Sequence, residues 1–160
     1  MRPGAAHADN LSGAGVILRR LEGSFRVTEF RAKGISEYRR QSVNSASPIQ
    51  LVVMLYDGAL RACEAAAAAM EGGNLQRQHE QLLRAQKILT ELSGSLDMDG
   101  GGEIAKNLFG LYAYCLNELV TANIDDDPAP VRRCIRVLSE LRGAWAELNE
   151  RPPQEAKHAA

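Results

Sequence analysis

The stretch SASPIQLVVMLYDGALRACEAAAAAM, residues 45–70, decides the fold. Ser47-Pro48-Ile49-Gln50 opens a helix by a definite mechanism. A serine caps the free amides, proline suits the first helical position, and a glutamine three residues after the serine completes a capping box. Ala65 to Ala69 favour helix over strand, and the pattern stops at Gly72-Gly73. This helix carries unusual grease: six apolar residues follow one another from Leu51 to Tyr56.

Three more amphipathic segments follow. The second runs from about Asn74 to Ser95, with Leu75, Leu82, Ala85, Leu89, Leu92 and Leu96 at helical spacing. The third runs from about Gly102 to Asn123, with Ile104, Leu108, Leu111, Cys115, Leu119 and Ala122 as its stripe. The sequence NIDDDPAP breaks it. Asp127 can cap the fourth helix and Pro128 can open it. That helix places Val131, Ile135, Leu138, Leu141, Trp145 and Leu148 on one face and ends before Pro152-Pro153. Four such helices with short joints predict an all-α, antiparallel up-down four-helix bundle over residues 36–150. Residues 1–35 are rich in Gly, Ala and Arg without a sustained period and are expected to form a flexible N-terminal extension. A short helical segment is expected around Tyr38, and residues 151–160 are expected to be a disordered tail.

Totals narrow the function. The chain has 160 residues, 45% of them apolar and 24% charged, which is the composition of one soluble domain. A net charge of −1 gives no footprint for nucleic acid or anionic lipid. No apolar run approaches the ~20 residues of a membrane span. Nothing resembles a secretory leader, so cytoplasm is the expected compartment. Cys63, Cys115 and Cys134 are odd in number and widely spaced, and they fall on apolar stripes, as core thiols do.

Catalytic chemistry finds little support. A di-iron bundle needs Glu-x-x-His pairs, and the histidines, His7, His79 and His158, make none. Asp99-Gly-Gly-Gly-Glu103 lacks the Lys-Ser/Thr of a phosphate loop. Asp125, Asp126 and Asp127 are consecutive, whereas a calcium loop uses alternate positions. No metal, cofactor or catalytic set is assigned, and an enzyme is not expected. A cofactor-binding bundle enzyme and a self-associating structural bundle are the rival classes.

The apolar faces are wider than a bundle needs. On a wheel at 100° per residue, the second and fourth helices confine their apolar residues to roughly 140°. The first spans roughly 200° and the third roughly 180°. Extra core packing covered by the N-terminal segment, a groove for a partner helix, and self-association as a homodimer would each account for the surplus. Leu51, Met54, Leu55 and Tyr56 are the candidate groove wall on the first helix. Phe109, Tyr112, Leu116 and Val120 are the candidates on the third, with Tyr38 and Val43 as a lid. Val52, Cys63, Leu108, Leu111, Leu138 and Trp145 are assigned to the core.

Three stretches carry a family resemblance: YRRQSVNSASPIQLVVMLYDGAL (residues 38–60), LDMDGGGEIAKNLFGLYAYCLNELVTAN (96–123) and LSELRGAWAEL (138–148). In order and spacing they resemble the flagellar secretion chaperone FliS over about residues 36–149. The resemblance implies a cytoplasmic four-helix export chaperone. It would bind the disordered C-terminal segment of flagellin 1:1, keep it from polymerising and deliver it to the export apparatus. Some members of the family also bind an anti-sigma factor or a co-chaperone. Family members begin a few residues before the tyrosine matched by Tyr38. Here 37 residues precede it, either a genuine extension or a start assigned too early.

Overall fold

The computed structural model describes residues 47–150. The expected extension, the segment around Tyr38 and the C-terminal tail lie outside the described residues. Helix α1 covers Pro48–Glu71, α2 Leu75–Gly94, α3 Gly102–Asp125 and α4 Pro128–Glu150. Each packs on its neighbours in a square: α1 with α2 and α4, α3 with α2 and α4. Short turns reverse the chain between them, giving the antiparallel up-down bundle.

The capping box at α1 forms as its sequence dictates. The Gln50 amide donates to Ser47 Oγ at 3.2 Å, and the Ser47 amide donates to Gln50 Oε1 at 2.7 Å. Asn74 caps α2 by accepting from the Arg77 amide at 3.1 Å. Asp127 accepts from the Ala129 amide at 2.9 Å, fixing the first turn of α4. Helix α3 runs to Asp125, two residues beyond Asn123, and Asp126 takes the left-handed conformation that ends it (φ 51°). An aspartate tolerates that region better than most residues. Its carboxylate accepts from Gln78 Nε2 at 2.7 Å, which ties the α3–α4 turn to α2. Next to it, Asn123 and His79 hydrogen-bond at 3.2 Å.

The core is one continuous cluster drawn from all four helices. It contains Val52, Cys63, Leu108, Leu138 and Trp145 as expected, whereas Leu111 is only half-buried because it sits at the edge of the α3 stripe. Leu75, expected on the α2 stripe, is exposed: it is the first residue of the helix, where the bundle has run out of neighbours. Small residues line the buried face of α1, among them Gly58, Ala59, Ala62, Ala66 and Ala69. They let α1 approach α2 and α4 more closely than α3 does. Arginines of α4 clamp both sides: Arg142 donates to Asp57 at 2.8 and 3.4 Å, Arg133 to Glu118 at 2.5 Å, and Arg132 to Glu71. Asp57 thus serves the α1–α4 seam, not an open polar face.

Candidate functional site

Two apolar surfaces wider than a bundle needs enter from the sequence, on α1 and α3, and the structure treats them differently. On α1, Leu51, Leu55 and Tyr56 are buried and Met54 is half-buried. Because α1 packs closely on two neighbours at once, its wide arc is consumed on both flanks. Leu55 and Tyr56 belong to the continuous core and stand behind no outer wall. Tyr112 of α3 is likewise fully buried.

Tyr56 and Tyr112 meet across the diagonal of the bundle. Their hydroxyls lie 2.6 Å apart in a hydrogen bond that either can donate, and the rings pack tilted at 6.2 Å between centroids. Trp145 of α4 packs tilted against Tyr56, with 6.5 Å between ring centroids. Burial pushes both phenols well above their ordinary range, so the pair stays neutral. It is a satisfied polar pair linking α1 and α3, with no exposed atom to offer a ligand.

All three cysteines are free and buried. Burial pushes the Cys63 thiol up to about 12. The Cys134 thiol donates to the Cys115 carbonyl at 3.4 Å, and its contact with the Cys115 side chain, reinforced by burial, holds it protonated. Cys63 and Cys134, buried and held protonated, are inert as nucleophiles or metal ligands. Among the described residues no group of three His, Cys, Asp or Glu side chains could hold a metal ion. No described helix is long and apolar enough to cross a membrane.

What stays open is the outer side of α3. Phe109 is 48% exposed and Val120 44%, and Leu116 is half-buried beside them. These three share the flank that faces α2. The contact of Asn123 with His79 sets the antiparallel register, and one turn onward along α2 brings exposed Leu83 to the same seam as Val120. Of the residues proposed from sequence, the structure therefore gathers Phe109, Leu116 and Val120 into one surface. Tyr38 and Val43 lie outside the described residues. Leu83 and Ile124 were missed. Leu83 hides in the doublet Leu82-Leu83, of which only one can face inward, and Ile124 was taken with the helix-breaking turn.

A four-helix bundle with an apolar seam on its surface is the architectural class that the described residues define. Comparison with known proteins narrows that class. The family model for the flagellar protein FliS matches residues 31–152. The chain is 36% identical over 124 residues to the flagellar secretion chaperone FliS of Vibrio cholerae, an alignment covering 75% of this chain and 89% of that one. The protein of the same name from Salmonella typhimurium is 37% identical over 125 residues, covering 75% and 93%. That from Bacillus subtilis is 34% identical over 110 residues, covering 69% and 81%. The chain belongs to the FliS family of flagellar proteins, whose members are chaperones and not enzymes.

Proposed function

We propose that this chain is a cytoplasmic flagellar export chaperone that binds the disordered C-terminal segment of flagellin along the α2–α3 seam. The observation that carries the reading is the unsealed apolar surface of Phe109, Val120 and Leu83, with half-buried Leu116 among them. Membership in a family whose relatives are named flagellar secretion chaperones supplies the substrate class.

The physical logic is partner substitution. A segment built to pair with other copies of itself exposes an apolar stripe until it does so, and that stripe is an aggregation hazard. Laying it as an amphipathic helix into an apolar seam removes the hazard without covalent chemistry. Ordering the segment costs ~2–5 kcal/mol or more, offset by burying ~1,000–3,000 Å². Delivery to an export apparatus, and binding of an anti-sigma factor or co-chaperone, belong to the same proposal as later steps.

The test is calorimetric titration of the full chain with the flagellin C-terminal segment. We expect 1:1 binding that changes little between low and moderate salt, because apolar contact is not screened. Leu116→Asp and Val120→Asp should keep their helical circular dichroism and weaken binding at least tenfold. Leu55→Asp should instead unfold the bundle, since it buries a charge in the core. Undiminished binding by both α3 variants would remove the seam from the proposal.

A further inference from the structure

The seam is shallow, because α2 and α3 pack directly on each other along it. Phe109, Val120 and Leu83 form its exposed rim, and Leu116 beneath them is half-buried. A helix resting on the rim alone buries little. To bury the ~1,000 Å² or more that offsets the ordering of a free segment, it must press α3 aside and reach Leu116. Whatever holds α3 against α2 at that place controls how readily the seam receives a partner.

The α3 helix has an anchor and an arm. Tyr112, hydrogen-bonded to Tyr56, fixes the middle of α3 to α1. From there to Asp126 the helix runs ~21 Å, and Leu116 and Val120 lie on this arm. Arg133 ties the arm to α4 through Glu118, so the side that can part is the one toward α2. On that side the end of the arm is fastened by Gln78, whose Nε2 donates to Asp126 Oδ1 at 2.7 Å.

Two observations single this bond out. Gln78 is 3% exposed, and it reaches to another helix, whereas the other buried polar side chain of this kind, Ser95, bonds back within α2. A bond from an amide to a carboxylate is stronger than a neutral pair, and burial of the donor keeps water from replacing it. Asp126 is also the non-glycine residue with positive φ among the described residues. Glycine would end α3 there with less strain. The carboxylate kept at that position has the buried amide of Gln78 as its partner. The neighbouring tie between Asn123 and His79 is exposed, so water competes for it.

On the reading of the seam as the flagellin site, we infer that the Gln78–Asp126 bond is a latch: it holds the arm of α3 against α2, and the seam takes its partner when the latch opens. Gln78 and Asp126 are positioning residues that act on the partner through the placement of α3. A site that is open only part of the time binds more weakly by that fraction. Breaking the latch raises the open fraction, so binding tightens while the bundle loosens. A bond that served stability alone would loosen the bundle and weaken binding together.

The experiment pairs hydrogen exchange with calorimetric titration by the flagellin C-terminal segment, using the full chain. Asp126→Gly keeps the left-handed helix end and removes the acceptor. Gln78→Met removes the donor and leaves no buried polar group behind. In both variants the amides from Leu119 to Asn123 should exchange about tenfold faster, those of α1 should be unchanged, and affinity for the segment should rise at least threefold. Asp126→Asn retains an acceptor and tolerates the same backbone, so it should behave as wild type in both measurements. Unchanged exchange in both variants overturns the latch, as does Asp126→Asn behaving like Asp126→Gly. Faster exchange with equal or weaker affinity overturns the gating and leaves the seam as the binding site. A wild-type chain that binds no segment overturns both.

Discussion

The Tyr56–Tyr112 hydroxyl pair places two polar atoms in the core, and its value lies in direction more than energy. A hydrophobic core tolerates sliding; a hydrogen bond 2.6 Å long across the diagonal does not. Trp145 packs its ring against Tyr56 from α4. Removing the Tyr56 hydroxyl strips the partner from the buried Tyr112 hydroxyl. Tyr56→Phe and Tyr112→Phe should therefore each cost about 1–3 kcal/mol. The double variant should cost less than the sum, because the second deletion removes a group already orphaned. Urea denaturation of the four proteins closes this cycle. Strict additivity would mean the hydroxyls do not act as a pair. The sequence placed Tyr56 and Tyr112 on a partner surface because an aromatic residue on a wide apolar arc looks the same whether it faces inward or outward. Only a diagonal contact 56 residues apart in the chain resolves it.

At the scale of the element, helix starts were legible because they rest on local chemistry. Ser47 and Gln50 lie three apart and satisfy each other whatever the rest of the chain does. Ser47→Ala should remove one capped amide and its reciprocal bond, costing ~1 kcal/mol. For a bundle of this size that lowers the melting temperature by about 4–8 °C, readable by thermal circular dichroism. A shift no larger than that of an exposed mid-helix control such as Glu64→Ala would show that α1 is not held at its start. Helix ends were less legible. The stop of α3 depends on Asp126 turning left-handed and being held there by Gln78, which belongs to another helix. The width of an apolar arc was the least transferable signal. On α1 it reflects two close neighbours, eased by Ala59, Ala62 and Ala66. On α3 a similar width remains in part exposed at Phe109 and Val120. A wheel measures how much apolar surface a helix has, not how many neighbours take it up.

The whole molecule is consequently lopsided in how firmly it holds its parts. Helix α1 is knit to α2 and α4 along its small-residue face, while α3 shares less surface with the same two neighbours. It is tied to them by polar contacts near one end, Gln78 with Asp126, His79 with Asn123 and Arg133 with Glu118. Local opening follows the contacts that must be broken, so the free energy of exposing α3 amides should lie below that of α1. A difference of ~1.4 kcal/mol would appear as tenfold faster exchange. We expect hydrogen exchange of the free chain to show the central amides of α3, around Leu108 to Leu119, less protected than those of α1 around Leu55 to Ala66. A polypeptide seated along α3 supplies the missing neighbour. Adding the flagellin segment should therefore raise protection on α3 more than on α1, and raise the stability of the whole bundle by mass action. Equal protection of the two helices in the free chain would remove the lopsidedness. A gain on adding the segment confined to α1 would place the partner on the face that this bundle has already closed.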